Sequence, residues 1–114
     1  MSFVLKEEGV DWEPHPTFKG VEIKLFLTKK DHKANITTFL SHVRKGNIVP
    51  EHIHAEQDDN LYILSGRAKM WVDGIGEFEL KKGMFIRVLK GIKHKIYDVT
   101  EDLLVFDVFS PASI

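Results

Sequence analysis

Six histidines are spread along this chain, His15, His32, His42, His52, His54 and His94, and two of them stand one residue apart. In an extended strand alternate side chains project from the same face, so the rings of His52 and His54 point together. Neutral imidazoles suit zinc, copper, iron and nickel. The pair is therefore a candidate half of a metal site, although two surface histidines on an edge strand give the same pattern. The second residue that could do chemistry is Asp107, inside Leu103-Leu104-Val105-Phe106-Asp107-Val108-Phe109. A carboxylate in such surroundings needs a partner or a raised pKa. Asp107 is accordingly a candidate general acid or base, with a rim or interface carboxylate as the plainer alternative. His42 lies in a strand pattern and faces solvent or the interior. His15, beside Pro16, and His32, in a charged turn, are expected to be solvated.

The elements that must position these residues are strands. Segments of helical period are missing, and short β-rich runs recur between turn residues. Val21–Thr28, Ala34–Arg44, Asn60–Ser65, Ala68–Val72, Glu77–Leu80, Met84–Leu89, Ile92–Asp98 and Leu103–Phe109 are the expected strands. Asp73-Gly74-Ile75-Gly76 forms a hairpin loop between two of them, and Gly66, Gly83 and Gly91 mark turns. Evenly spaced strands of this kind imply a sandwich, jelly roll or barrel. Residues 1–18, with Trp12, Pro14 and Pro16, read as an N-terminal arm or edge segment, and the barrel as residues 20–110. Trp71 shares a face with Lys69, opposite Ala68, Met70 and Val72, and is expected in core or dimer packing. The last strand is apolar on both faces, which implies cover on both sides and hence a homodimer through one sheet.

Length and composition set bounds. At 114 residues, one domain is expected over residues 1–114. Apolar residues make up 43% and charged residues 29%, with a net charge of -1, which is globular composition with no basic stripe for nucleic acid. No apolar run has membrane-spanning length, and the N-terminus lacks signal-peptide order, so a cytoplasmic protein is expected. The absence of cysteine removes disulfides, thiolate chemistry and Cys-based zinc sites.

The surroundings of the histidine pair carry a resemblance. Gly46 precedes His52 with five residues between, Asp59 follows His54 with four between, and Gly66 follows Asp59 with six between. Further on, Gly83 is followed after five residues by Leu89-Lys90-Gly91, then His94, then Asp98. These segments resemble the two ordered motifs of the cupin superfamily, with Asp59 for the usual Glu, Leu89 for Pro and Asp98 for Asn. The resemblance implies an all-β double-stranded β-helix, or jelly-roll barrel. It also implies one divalent metal ion (Fe, Mn, Ni, Zn or Cu) held by His52, His54, His94 and Asp59. An Asp carboxylate sits about 1.5 Å, one carbon–carbon bond, closer to its backbone than that of Glu. Asp58, on the opposite face of an extended segment, and Glu56, in the turn, are thus alternative acidic ligands.

The function implied is a metal-dependent enzyme that binds a small oxygen-rich metabolite in the barrel cavity, such as a sugar acid, keto acid or diol. It would work by Lewis-acid and proton-transfer chemistry. A metal-dependent dioxygenase, a non-catalytic sensor and an assembly module are the rivals, because this fold hosts many functions. The ending Asp107-Val108-Phe109-Ser110-Pro111 is also similar to that of small cupins of pectin and alginate degradation, which open unsaturated uronates to keto sugars and place an Asp at this point. This chain departs from them at Ser113, where they carry an Arg nearby, and at Asp59, where they carry Gln.

Overall fold

In the computed structural model, which describes residues 2–114, the alternating patterns become antiparallel strands. Among the described residues these are β1 (Glu13–Pro14), β2 (Val21–Leu27), β3 (Thr37–Val43), β4 (Val49–His52), β5 (Asp58–Val72), β6 (Gly76–Lys81), β7 (Phe85–Val88) and β8 (His94–Ser110). A single-turn helix, α1 (Lys29–His32), interrupts them. The strand expected from Ala34 starts only at Thr37. The Thr28 hydroxyl caps α1 by accepting from the Asp31 amide at 3.0 Å, and Lys33, at φ 54°, closes the turn. Among the described residues no helix is long and apolar enough to cross a membrane.

Four of the expected strands are halves of two long ones. Asn60–Ser65 and Ala68–Val72 are both in β5, and Ile92–Asp98 and Leu103–Phe109 both contribute to β8. The first half of β5 pairs with β7 and the end of β8, and its second half pairs with β6 and the start of β8. Each long strand therefore joins two sets of neighbours within one eight-stranded antiparallel sheet, which closes into a jelly-roll barrel. The expected turn at Gly66 is a bend inside a continuous strand. A Cβ there would lie 2.2 Å from the Asp102 carbonyl oxygen and 2.7 Å from Leu103 Cα, so only glycine lets β8 approach this closely.

The two long strands also slip phase at their bends. In β5 the buried residues are Asp59, Leu61 and Ile63 before Gly66, and Ala68, Met70 and Val72 after it. The register irregularities between Ile63 and Lys69 absorb the change of parity. In β8 the buried set shifts from His94 and Ile96 to Val99, Leu103, Val105 and Asp107. Asp98, at φ 50°, stands at that slip, and Asp and Asn tolerate this left-handed conformation better than most residues. Both halves of each strand thus turn their apolar side chains to one core, in which Ile63, Met70, Leu80 and Leu103 are completely enclosed. Leu104, Phe106 and Val108, on the outer face of β8, remain half-buried.

Candidate metal centre

Three segments converge at one end of the barrel. His52 ends β4, His94 begins β8, and the two are paired across the ladder. His54 follows β4, and its carbonyl accepts from the Gly91 amide at 2.8 Å, which ties the two loops together. Ile53 points outward between the two histidines, as period-2 spacing requires. Ring centroids are 4.2 Å apart for His52 and His94, 4.9 Å for His52 and His54, and 5.3 Å for His54 and His94. One ring nitrogen from each histidine can be chosen so that the three atoms lie within 4.8 Å of one another.

Backbone carbonyls fix which nitrogen is free. His52 Nδ1 lies 2.7 Å from the Pro50 carbonyl oxygen, and His94 Nδ1 lies 2.9 Å from that of Ile92. A carbonyl only accepts, so each Nδ1 carries the hydrogen and each Nε2 keeps its lone pair. His94 Nε2 is buried with no hydrogen-bond partner. An orphaned acceptor of this kind, beside two other imidazoles, fits a metal ligand whose orientation is set from behind. Burial lowers the pKa of all three rings. His54, which also feels His52, His94 and His15, falls to about 4. All three are therefore neutral near pH 7, the form that binds metals.

The carboxylates lie deeper. Asp59 pairs with Phe109 and Leu61 with Asp107 in the β5–β8 ladder, so Asp59 and Asp107 are diagonal neighbours on the inward face. The charge of Asp107 disfavours ionisation of Asp59 beside it. Ser41, on the neighbouring strand β3, donates to Asp107 Oδ2 at 2.8 Å. Asp59 Oδ2 is 3.8 Å from His54 Nε2, while its Oδ1 is buried without a partner. Asp59 thus stands at the edge of the three-histidine cluster. Desolvation and its neighbour Asp107 hold its pKa well above the ordinary value, and desolvation raises that of Asp107 to about 6.

The other acidic candidates face elsewhere. Asp58 accepts from the Lys90 amide and from Arg87, both at 2.9 Å, on the outer surface. Glu56 is exposed on the loop. His42 lies between Glu22 and Asp102 on the outer face, against Trp12. His32 Nδ1 accepts from the Thr28 amide. Trp71 is on the outer face of β5, with the Lys95 ammonium 5.8 Å from its ring.

One expectation is corrected. His15 is not a solvated residue of the arm; it lines the cavity beside the histidine cluster, stacked on Phe18 at 4.6 Å. Phe18 in turn packs against His52 at 4.8 Å. The cavity has a volume of about 60 Å³ and is walled also by Phe39 and Phe109. Nothing in the spacing of His15 relative to His52 marks it. It is placed by the pairing of β1 with β2 and by its amide, which donates to the Val21 carbonyl.

The buried carboxyl pair has a consequence for stability. A group whose folded pKa exceeds its unfolded value binds its proton more tightly when folded. Its stabilisation is present below about pH 4 and is lost as pH rises through about 6, the value for Asp107. In the metal-free protein Asp107→Asn, which copies the protonated form and keeps an acceptor for Ser41, is expected to be more stable than wild type at pH 8. The gain is on the order of 2 kcal/mol, vanishing near pH 4. Urea unfolding at the two pH values measures this, and a variant less stable than wild type at pH 8 would contradict it.

Comparison with known proteins identifies the family and the fold. The cupin domain model matches residues 39–109, most of the barrel. An uncharacterized protein of Streptomyces coelicolor is 38% identical over 55 residues, 48% of this chain and 51% of that protein, so the match spans about half the length of that relative. The structure of KdgF from Halomonas sp. superposes with a TM-score of 0.82 at 19% identity, covering 97% of this chain and 94% of that one. A Thermotoga maritima protein described as a predicted oxalate decarboxylase superposes at 0.80 with 20% identity, over 96% and 99% of the two chains. At these identities the structural likeness establishes the fold. With the family match spanning both histidine-bearing segments, the chain belongs to the cupin domain family.

Proposed function

We propose that this cupin holds one divalent metal ion through His52, His54 and His94, with Asp59 as the acidic donor. We further propose that it acts as a metal-dependent enzyme on a small oxygen-rich metabolite such as a sugar acid, keto acid or diol. The observation that carries the reading is the convergence of three neutral imidazoles, with the buried, unpartnered Nε2 of His94 among them. A bound ion of this class supplies Lewis acidity, polarising a carbonyl or stabilising an enolate. The chain itself supplies orientation and a proton. The carbonyls of Pro50 and Ile92 hold two of the rings in place. Phe39 and Phe109 keep one side of the cavity dry. Asp107, steadied by Ser41 and with its pKa raised to about 6 by burial, takes up or gives a proton beside the cavity, within the pH range where a general acid or base is useful. The half-buried outer row of Leu104, Phe106 and Val108, with Tyr62 and Phe85 exposed nearby, supports a homodimer through that sheet.

Elemental analysis of protein purified without added metal tests the metal reading. About one equivalent of a transition ion is expected, removable by chelator and restored by readdition. Protein that takes up no divalent ion under any of these conditions overturns it.

A further inference from the structure

The fourth histidine of the cavity has the opposite tautomer from its neighbours. His15 Nδ1 receives two backbone amides, those of Thr17 at 3.0 Å and Phe18 at 3.1 Å. A nitrogen that accepts two N–H groups carries no hydrogen of its own, so the hydrogen of His15 is on Nε2. His52 and His94 have the reverse arrangement, with Nδ1 protonated toward a carbonyl and Nε2 free to ligate. His15 is thus built as a donor, not as a ligand. Its ring is held by Phe18 on one face and borders both the cavity and the apolar groove that opens from it past Ile23, Leu25 and Phe109. His15 lines the same cavity as the three clustered histidines, Asp59 and Asp107.

We infer that His15 is a specificity residue, whose Nε2–H donates to an acceptor oxygen of the bound substrate. That substrate is then a small acid with one oxygen group for the metal centre and a second, a carboxylate, directed to the N-terminal arm. The inference rests on the metal reading given above and narrows its substrate class to compounds with two separated oxygen groups.

Two substitutions separate the two nitrogens. His15→Asn keeps an acceptor near the Nδ1 position for the Thr17 and Phe18 amides but removes the outer donor. His15→Gln places an amide donor near the Nε2 position. The test titrates Co²⁺ into the metal-free proteins by visible absorption, then titrates malonate and acetate into the Co²⁺-loaded forms. His15→Asn is expected to bind Co²⁺ as wild type does and to lose about tenfold in malonate affinity, equal to about 1.4 kcal/mol. His15→Gln is expected to keep most of that affinity. Acetate, with no second carboxylate, is expected to bind all three alike.

Unchanged malonate binding in His15→Asn, or an equal loss for acetate, overturns the inference and leaves the metal reading standing. Loss of Co²⁺ affinity in His15→Asn overturns it by making His15 a ligand. A wild-type protein that takes up no Co²⁺ overturns the metal reading itself.

Discussion

Gly66→Ala is expected to destabilise the chain by roughly 4 kcal/mol or more, near the upper limit for a single substitution. Two costs combine. The backbone at Gly66 has φ of 98°, outside the range an L side chain adopts readily, and left-handed placement alone costs about 1–2 kcal/mol. The larger cost is steric. The new methyl would sit 2.2 Å from one backbone atom of β8 and 2.7 Å from another, and neither is the end of a flexible side chain. Relief requires β5 and β8 to separate where their register is irregular. Gly83→Ala is the control, because φ there is 90° but a Cβ would meet nothing within 4 Å. That variant is expected to lose only the conformational cost, about 1–2 kcal/mol. Urea unfolding of the two variants beside wild type decides it. Equal losses in both would show that crowding at Gly66 is not the cause.

His94→Ala is expected to abolish the stabilisation that a divalent ion gives. An ion at about one hundred times its Kd stabilises the folded state by ~2.7 kcal/mol, which for a domain of this size raises Tm by about 10 °C. Structural zinc sites bind with roughly 10–16 kcal/mol shared among four donors. Removing one donor then costs ~3 kcal/mol, a hundredfold or more in affinity. The metal-free variant is expected to stay folded, within about 2 kcal/mol of wild type, since the substitution also removes a buried nitrogen that has no partner. Asp59→Ala, which removes the proposed acidic donor, is expected to lose on the order of a hundredfold in affinity, as for His94. Calorimetric titration and thermal scans with and without Co²⁺ read both effects. A His94→Ala protein that keeps its metal-dependent rise in Tm would remove His94 from the site.

Much of the barrel is visible in the residues themselves. The turn glycines and the alternating runs give six of the eight strands, with β5 and β8 each read as two; β1 and β4 are missed. Gly66 reads as a turn because glycine is the common residue where φ is positive; here the same freedom serves a bend within β5. Whether a glycine reverses the chain or lets another strand approach depends on the neighbouring strand, in this case Asp102 and Leu103, which lie far along the sequence.

The histidine pair shows what the sequence by itself determined. Period-2 spacing puts His52 and His54 on one side of an extended segment whatever the rest of the fold, and the two spaced motifs bring in His94. The burden of Asp107 is likewise local, since seven apolar-rich residues cannot hide a carboxylate without a partner. The identity of that partner is not local. Only the register of β5, β8 and β3 makes Asp59 a diagonal neighbour of Asp107 and turns the Ser41 hydroxyl to it. The same holds for His15, which no spacing links to the other histidines. Its place depends on a two-residue strand pairing at the barrel edge, and its tautomer on two amides of the turn that follows. Residue type and period determine which side chains can do chemistry, because they act within one strand. Which of them meet, and which nitrogen each offers, is decided by hydrogen bonds between distant segments, which only the tertiary structure brings together.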